Sequence, residues 1–173
     1  MRICVIPARG GSKRIPGKNI KLLGDKPLIS YTIDAALNSE IFDQIYISTD
    51  DIDIIEYAKS KNVLIDERPK NLAGDTITQV QVINEFIKRK KLSLETQIAS
   101  LLPTCPFRTS QDIINAYEIF RKDISNPLIG VVAYDFPIQL ALSKENKSNL
   151  MTPFFENGYE KTRSQDIEKT WHP

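Results

Sequence analysis

Short apolar runs alternate with amphipathic stretches from residue 3 to residue 134 of the chain. The apolar runs are rich in β-branched residues and are bounded by polar or turn-forming residues, which is typical of buried strands. They predict strands at Ile3–Pro7, Gln44–Ser48, Asn62–Asp66, Gln97–Leu102 and Leu128–Tyr134.

The stretches between these runs repeat apolar residues every three or four positions, which predicts four helices. One covers Pro27–Leu37, with the proline in its first turn. A second starts at Asp50-Asp51 and a third covers Thr78–Lys90. A fourth follows a capping box formed by Thr109 and Asp112. The residues expected on the buried faces are Leu28, Ile29, Ile33, Ala36, Leu37, Ile54, Ile55, Ala58, Val80, Ile83, Phe86, Ile87, Ile113, Tyr117 and Phe120.

Strands that alternate with helices predict βαβ units and a mostly parallel sheet covered on both faces. The expected fold is therefore a three-layer α/β/α, Rossmann-like domain, with a ligand site at the carboxyl ends of the strands. After Tyr134 the pattern becomes polar and mixed, with a turn at Asn157-Gly158. We therefore expect a core over residues 1–134 and an irregular excursion over residues 135–173.

Composition narrows the function classes. The 173 residues carry 23 Lys and Arg against 22 Asp and Glu, so no global field favours nucleic acid or an anionic membrane. No apolar run approaches the roughly 18–20 residues of a membrane span. The two cysteines, Cys4 and Cys105, are too few for a disulfide framework or a zinc site, so a reducing cytoplasm is the expected compartment. The final residues, Trp171-His172-Pro173, predict that further structure follows them.

The candidate chemistry lies directly after the first predicted strand, between Arg9 and Asn19. Gly10 and Gly11 allow close approach of the backbone to a ligand, and four cations surround them. The loop has neither the Walker pattern nor the dinucleotide-binding glycine fingerprint. The residues alone therefore leave two alternatives open, a tight turn with solvated charges and a cradle for a polyphosphate.

The string PARGGSKRIPGKN, from Pro7 to Asn19, resembles the N-terminal signature of the sugar-acid cytidylyltransferases, the enzymes that make CMP-sialic acids. Four further motifs of this family follow in the same order, so that the resemblance spans about residues 2–134. They are KPLI at 26–29, STDD at 48–51, RPKNLAGDT at 68–76 and PTCPFR at 103–108. The resemblance implies a fold of the nucleotide-diphospho-sugar transferase type.

The resemblance also implies roles for individual residues. Arg9 and Lys18 are the expected catalytic residues, with Lys18 at the α-phosphate of CTP. The residues expected to bind the nucleotide are Ala8, Gly10, Gly11, Ser12 and Lys13 at the phosphates, Asn19 at the ribose, and Arg68, Ala73, Asp75 and Thr76 around the cytosine. Two motifs also have plainer interpretations, namely a surface turn at Arg68-Pro69 and a strand end with a helix cap at residues 48–51.

The second half resembles the pseudaminic acid cytidylyltransferases through FPIQLAL at 136–142 and TRSQDI at 162–167. The resemblance implies that Arg163 binds the carboxylate of a sugar acid and that Gln165 contacts its hydroxyl or acylamino groups. Phe136 and Gln139 complete the expected substrate-binding set. Residues 135–173 would then form a sugar-acid-binding and dimerisation excursion. The identity of the nine-carbon sugar acid stays open.

The implied reaction joins a nine-carbon sugar acid to CMP from CTP, with Mg²⁺ as cofactor and pyrophosphate as leaving group. The family's metal carboxylates are expected beyond residue 173, so no metal ligand is assigned here, and a homodimer is expected for the full-length protein. Leu102 stands where the family commonly has glutamine, and Cys105 where it has serine. Two alternatives remain, a CMP-Kdo-type synthetase, which Asn19 disfavours, and a non-catalytic CTP-binding module.

Overall fold

The computed structural model describes residues 1–144, 148, 150–155 and 163–173. It divides into two compact units, Met1–Asp123 and Ile124–Pro173. The predicted Asn157-Gly158 turn and Thr162 of the TRSQDI string lie outside the described residues. The division at residue 134 into a nucleotide-binding part and a sugar-acid-binding part stays a prediction about function.

The first unit contains a central sheet, a short ribbon and four helices. In chain order its elements are β1 (Arg2–Pro7), β2 (Leu22–Leu23), β3 (Lys26–Pro27), α1 (Leu28–Asn38), β4 (Gln44–Thr49), α2 (Ile52–Ser60), β5 (Leu64–Glu67), α3 (Gln79–Lys90), β6 (Gln97–Ser100) and α4 (Ser110–Phe120). A 3-10 helix, Lys70–Leu72, lies between β5 and α3. Four of the five predicted strands and all four predicted helices are confirmed.

The central sheet is parallel throughout and has the strand order β5-β4-β1-β6. The chain moves outward from β1 to β4 and β5, and then returns to the other side of β1 to form β6. The switch in direction therefore falls between β1 and β6, and ligands bind at such a point outside the carboxyl ends of the strands. The loops after β1, β4, β5 and β6 all leave from this edge of the sheet.

The core consists of two apolar layers, one on each face of the sheet. Helices α1 and α2 bury Ile29, Ile33 and Ile54 against one face. Helix α3 buries Phe86 against Ile3 and Val5 on the other face. Fully burying each of these large side chains stabilises the fold by roughly 1.5–3 kcal/mol. The result is the predicted three-layer α/β/α arrangement.

Two residues predicted to be buried are exposed, Leu37 at the end of α1 and Val80 in the first turn of α3. Two polar side chains of the same helices are instead turned away from solvent, and each has a hydrogen-bond partner. Thr32 Oγ1 donates to the Leu102 carbonyl oxygen at 3.3 Å, and Gln79 Nε2 donates to Ser100 Oγ at 2.5 Å. Apolar periodicity therefore predicts the helices and most of their buried positions, but it does not identify the polar residues that are buried beside them.

The fifth predicted parallel strand, Leu128–Tyr134, is wrong. Only Val132–Ala133 (β7) is a strand, and it pairs antiparallel with Trp171–His172 (β10) in the second unit. An apolar run favours extended backbone, but it does not specify the strand that will pair with it. The other elements of this unit are 3-10 helices at Ile138–Leu140 and Ser164–Asp166 and an antiparallel pair, β8 (Leu142–Lys144) with β9 (Met151–Pro153).

Candidate active site

The loop after β1 is shaped first by Pro16 and Gly17. The Lys18 amide donates to the Ile15 carbonyl oxygen at 3.2 Å, and Gly17 has a φ of 62°. Proline followed by a glycine with positive φ is the pattern of a type II turn. The amides of Ile20 and Lys21 then donate to the Gly17 carbonyl oxygen, which forms a helical turn that begins at Lys18.

Lys18 is half-buried at the start of that turn. Its ammonium group has no acidic partner in the part of the chain that the structure describes. The backbone before it is set by two residues whose conformations are restricted for opposite reasons, proline by its ring and glycine by its lack of a side chain. The turn therefore fixes the backbone from which Lys18 extends, and this cation has no acidic partner among the described residues.

The backbone amides at the start of the loop are partly occupied. The Ala8 amide donates to the Ser48 carbonyl oxygen at 2.9 Å, and the Gly10 amide donates to Asp50 Oδ1 at 3.0 Å. The resemblance implied that the Ala8 and Gly10 amides bind phosphate. In this structure both amides are already hydrogen-bonded, one to the sheet and one to a side chain. Within the described residues, the amides of Gly11 and Lys13 have no acceptor.

A cavity of about 460 Å³ lies between this loop and the segment before α3. Its lining residues are Gly10, Gly11, Ser12, Lys13, Pro16, Gly17, Ala73, Gly74 and Asp75. The structure thus brings together most of the residues predicted to bind the phosphates with two of those predicted to surround the base. Thr76 follows directly and is exposed.

Asp75 is the counterion of the two cations that flank the cavity. Arg9 Nη1 lies 2.9 Å from Asp75 Oδ1, and Lys13 Nζ lies 2.5 Å from Asp75 Oδ2. Hydrogen bonds from Lys13 and then Arg9 hold the pKa of the Asp75 carboxyl below its ordinary value. Arg9 also donates to the Ala73 carbonyl oxygen at 3.4 Å. The two Asp75 oxygens therefore occupy the places, beside Arg9 and Lys13, where phosphate oxygens would bind.

Asn19 lies beneath the loop rather than at its surface, and it is 6% exposed. Its side-chain nitrogen donates to the Arg9 carbonyl oxygen at 3.0 Å. The backbone carbonyl oxygen of Asn19 accepts a hydrogen bond from the Ile29 amide at 2.9 Å. Asn19 therefore joins the loop to the start of α1, and its side-chain nitrogen is committed to that task.

Arg68 is buried, with 7% of its surface exposed, so its interpretation as part of a surface turn is wrong. Its Nη2 donates to the Ser48 carbonyl oxygen at 2.8 Å, and its backbone amide donates to the Thr49 carbonyl oxygen at 2.7 Å. Burial lowers the pKa of the guanidinium, while the charges of Asp50 and Asp66 oppose this effect. The arginine ties the end of β5 to the end of β4.

The plainer interpretation of residues 48–51 is confirmed. Strand β4 ends at Thr49, and Asp51 Oδ1 caps α2 by accepting from the amides of Asp53 and Ile54 at 2.9 and 3.3 Å. Sequence reasoning missed Asp50, which reaches across to Gly10. The signal in the sequence was the doubled aspartate, since one carboxylate is enough for a helix cap.

A second pair that the sequence did not reveal stabilises the end of β5. Asp66 is 2% exposed and accepts two hydrogen bonds from the Arg89 guanidinium of α3, at 2.7 and 2.9 Å. A bidentate arginine is the partner best able to satisfy a buried carboxylate. No spacing rule links positions 66 and 89, so the sequence carries no signal for this contact.

The loop after β6 is held through the backbone of Leu102. Its carbonyl oxygen accepts from Thr32 Oγ1 at 3.3 Å and from Arg108 Nη1 at 3.4 Å. Cys105, in the following turn, is exposed, and Pro103 is buried. The Leu102 position therefore contributes a backbone oxygen to the architecture of this loop.

The predicted sugar-acid residues lie in the second unit. Arg163 Nε pairs with Asp166 Oδ2 at 2.7 Å, while Phe136 and Gln165 are exposed. Gln139 donates through its side-chain nitrogen to the Glu168 carbonyl oxygen at 3.4 Å. The arginine, the phenylalanine and the residue-165 glutamine are therefore accessible, whereas Gln139 is tied to the backbone of its own unit.

Neither a metal centre nor a membrane helix is found in the described part of the chain. It contains no group of three or more His, Cys, Asp or Glu side chains placed to hold a metal ion. Its helices are all too short or too polar to cross a bilayer. Three acidic side chains lie beside the loop: Asp50 accepts from the Gly10 amide, Asp51 caps α2, and Asp75 pairs with two cations.

The sequence that forms this sheet and its loops matches a known family. The sequence profile of the family described as cytidylyltransferase matches residues 3–165. The chain belongs to the cytidylyltransferase family. Membership makes the protein a nucleotidyltransferase, in agreement with the motifs at both ends of the matched region.

Two curated relatives align over almost the entire chain. A pseudaminic acid cytidylyltransferase of Campylobacter jejuni subsp. jejuni serotype O:2 is 39% identical, over 98% of this chain and 74% of that protein. An N-acylneuraminate cytidylyltransferase of Escherichia coli O18:K1:H7 is 36% identical, over 99% of this chain and 40% of that protein. The family resemblance drawn from the motifs is thereby confirmed.

The fold is confirmed by solved structures. A CMP:2-keto-3-deoxy-manno-octonic acid synthetase solved with CTP superimposes with a TM-score of 0.68, over 98% of this chain and 70% of that chain. The sequence identity in this comparison is 19%, so the likeness concerns the fold alone. The Rossmann-like sheet therefore belongs to a fold found in nucleotidyltransferases.

Proposed function

We propose that the protein transfers the CMP group of CTP to the anomeric hydroxyl of a nonulosonic acid and releases pyrophosphate. The two relatives described above carry the names of pseudaminic acid and N-acylneuraminate cytidylyltransferases. The structural observation that carries the proposal is the loop after β1, where Lys18 lacks an acidic partner among the described residues and the Gly11 and Lys13 amides are free. These groups favour a polyphosphate over solvated turn charges.

The proposed reaction is an in-line substitution at the α-phosphorus of CTP. A bond forms between the anomeric oxygen and the α-phosphorus, and the bond from the α-phosphorus to the bridging oxygen of the β-phosphate breaks. The hydroxyl proton passes to solvent, and pyrophosphate carries away the charge. Such a reaction depends mainly on positioning and on stabilising developing negative charge, so the loop needs no acid–base dyad.

In this scheme the three cations bind different phosphates of CTP. Lys18 approaches the α-phosphate and stabilises the charge that develops there. Arg9 and Lys13 bind the β- and γ-phosphates, together with the Gly11 amide and the Ser12 hydroxyl. Because Arg9 and Lys13 are paired with the exposed Asp75, the triphosphate must exchange with that carboxylate. Exposed ion pairs contribute little net free energy to the folded state, so breaking these two pairs costs little.

The nucleoside contacts are also proposals. Asn19 would contact the ribose through its side-chain oxygen, since its nitrogen donates to Arg9. Arg68, Ala73, Asp75 and Thr76 would frame the cytosine mainly through backbone groups. The buried guanidinium of Arg68 supports this edge of the sheet by bonding Ser48 rather than by pointing to solvent.

For the acceptor we propose the second unit. Arg163 would bind the carboxylate of the sugar acid through its planar guanidinium, which matches a carboxylate in two parallel hydrogen bonds. Its pair with Asp166 is exposed and therefore easily exchanged. Gln165 would contact hydroxyl or acylamino groups of the acid, and Phe136 its apolar part, since both side chains are exposed. Gln139 donates to the Glu168 carbonyl oxygen and would complete the substrate-binding set from that position.

Mg²⁺ is the cofactor that we propose for the reaction, and a divalent ion supplies neutralisation of phosphate charge in such transfers. The described residues near the loop do not fit a Mg²⁺ site, because Asp75 is paired with two cations, Asp50 accepts an amide and Asp51 caps α2. No step is therefore assigned to a metal ligand of this chain. We also propose a cytoplasmic location and, for the full-length protein, a homodimer.

The test is to incubate the purified protein with CTP, Mg²⁺ and a panel of sugar acids, and to measure pyrophosphate. The panel contains N-acetylneuraminic, pseudaminic and legionaminic acids, with Kdo as an eight-carbon acid. We expect release with at least one nine-carbon acid and little with Kdo. Release with Kdo alone would replace the proposed acceptor, and no release with any acid would overturn the enzymatic function.

A further inference from the structure

The peptide that joins Arg9 to Gly10 is held on both sides by side chains. Asn19 Nδ2 donates to the Arg9 carbonyl oxygen at 3.0 Å. The amide of the same peptide, on Gly10, donates to Asp50 Oδ1 at 3.0 Å. A peptide plane with both polar groups bound by separate residues cannot rotate without breaking one of these hydrogen bonds.

The space beside this peptide leaves no room for a side chain at position 10. A Cβ atom built on Gly10 would collide with Oδ2 of Asp51. Asp51 cannot easily withdraw, since its other oxygen caps α2. The glycine is therefore required by close approach of the α2 cap, and the two neighbouring aspartates both contact the start of the loop.

The Asp50 charge favours the buried Arg68 guanidinium, but Asp50 is not part of the α2 cap. Its side chain is exposed, and the capping of α2 belongs to Asp51. In the described part of the chain, the Gly10 amide is the one hydrogen-bond donor to its carboxylate. An exposed carboxylate whose hydrogen bond is to a loop amide points to a role in the shape of that loop.

We propose that Asp50 is a positioning residue for the nucleotide, acting with Asn19 to hold the Arg9–Gly10 peptide in the orientation that presents the rest of the loop to the triphosphate. The consequence of this orientation is visible on both sides of the peptide. The Arg9 side chain reaches Ala73 and Asp75, and residues 11–13 line the cavity with two amides, those of Gly11 and Lys13, that have no acceptor among the described residues. The inference rests on the proposed binding of CTP.

The opposite role would be that of a placeholder. A carboxylate on a loop amide could occupy the place of a phosphate oxygen and leave when CTP binds. The two roles predict effects of opposite sign, since removing a positioning residue weakens CTP binding, whereas removing a competitor strengthens it. The geometry favours positioning, because the peptide is held from its other side by the buried Asn19.

Three variants separate the possibilities. Asp50→Ala removes the acceptor, Asp50→Asn keeps an acceptor oxygen without the charge, and Asp53→Ala removes a charge from the exposed first turn of α2 without touching the loop. We expect Asp50→Ala to raise both the KM and the Kd for CTP about tenfold, as for a lost hydrogen bond to a charged group. Asp50→Asn should stay within about threefold of the wild type, and Asp53→Ala should match it.

A structural readout tests the contact without relying on activity. Hydrogen exchange of the Gly10 amide, followed by NMR, should be slow in the wild type and in Asp50→Asn. In Asp50→Ala it should be much faster, while the core amides of β1 and the melting temperature stay unchanged. Faster exchange throughout the protein would show that Asp50 is structural and would overturn the proposal.

The outcomes distinguish this inference from the proposed function. If the wild type neither binds CTP nor releases pyrophosphate with any acid, the proposed function fails and the inference fails with it. If the wild type binds CTP and Asp50→Ala binds it equally well or more tightly, only the inference fails. An Asp50→Asn variant as impaired as Asp50→Ala would show that charge, not the hydrogen bond, matters, and would also overturn it.

Discussion

At the scale of single residues, Lys18 carries the strongest expectation. It is the half-buried cation of the loop that has no acidic partner in the described chain. We expect Lys18→Ala to lower kcat about 100-fold, near the cost of losing one donor to developing charge, because that charge forms at the α-phosphate. The Kd for CTP should change only a few-fold.

The matched control for this variant is Lys21→Ala, which removes an exposed lysine from the same helical turn. It should keep kcat near the wild-type value. Steady-state kinetics with varied CTP, together with calorimetric binding of CTP, would measure both quantities. Equal kcat in Lys18→Ala and Lys21→Ala would remove Lys18 from the reaction.

The two cysteines should differ sharply in reactivity. Cys4 lies in the centre of β1, and its burial raises the pKa of the thiol to about 12, whereas Cys105 is exposed. The thiolate is the reactive form, so iodoacetamide at pH 8 should modify Cys105 and spare Cys4 in the native protein. Peptide mass spectrometry would show both cysteines modified only after denaturation. Native modification of Cys4 would contradict its place in the core.

Residue-level reasoning from the sequence was most reliable where the chemistry is local. The predicted caps at Thr109 and at Asp51 are confirmed, because each depends on a side chain within three positions of the amides that it binds. Asp50 and Asp66 act on partners far away in the chain. Their roles depend on strand order, which no local pattern contains.

At the scale of elements, the turn before Lys18 depends on Gly17, whose φ is 62°. An alanine there would adopt a left-handed conformation at a cost of roughly 1–2 kcal/mol, or would move the loop. We expect Gly17→Ala to destabilise the protein by about that amount and to lower kcat/KM because Lys18 shifts. Urea unfolding and kinetics would measure both effects.

Gly130→Ala is the control for that substitution. A Cβ on Gly130 would meet open space, and its φ is not positive. It should leave both stability and kinetics near the wild-type values. If Gly17→Ala proved as harmless as Gly130→Ala, the turn would not be the element that places Lys18.

The pair that joins α3 to β5 should contribute more to stability than the surface pairs. Arg89→Ala leaves the buried Asp66 carboxylate without its two donors. Losing one partner of a buried pair costs about 3–5 kcal/mol, and the partial exposure of Arg89 brings the expectation to about 2–4 kcal/mol. Lys88→Ala, which breaks the exposed pair with Glu85, should change the unfolding free energy by less than about 1 kcal/mol.

Chemical denaturation of both variants would test this ranking. Equal stabilities for Arg89→Ala and Lys88→Ala would mean that the buried pair does not hold α3 to the end of β5. A double variant, Asp66→Leu with Arg89→Leu, should recover part of the loss because no buried charge is then left unpaired.

The elements themselves could be predicted only as far as their patterns are local. Period and β-branching identified β1, β4, β5 and β6, and the alternation with helices implied a parallel sheet. The same pattern failed at residues 128–134, where β7 pairs with β10 instead of the central sheet. Apolar character indicates a strand, but the choice of partner is a property of the tertiary structure.

At the scale of the whole molecule, the family motifs said more about function than the composition did. The near-zero net charge excluded a global field, and the local cations of the loop then had to be interpreted through their place after β1. The five ordered motifs led to the cytidylyltransferase family, which the profile match over residues 3–165 confirms. The acceptor residues lie in a separate compact unit, so their assignment stays a proposal.

The central claim is that the loop from Arg9 to Asn19 binds the triphosphate of CTP. A crystal structure of the protein with a non-hydrolysable CTP analogue tests it most directly. The account predicts the β- and γ-phosphates beside Arg9, Lys13 and the Gly11 amide, and an α-phosphate oxygen about 2.7–2.9 Å from Lys18 Nζ. A triphosphate bound elsewhere, with Asp75 still paired to Arg9 and Lys13, would contradict it.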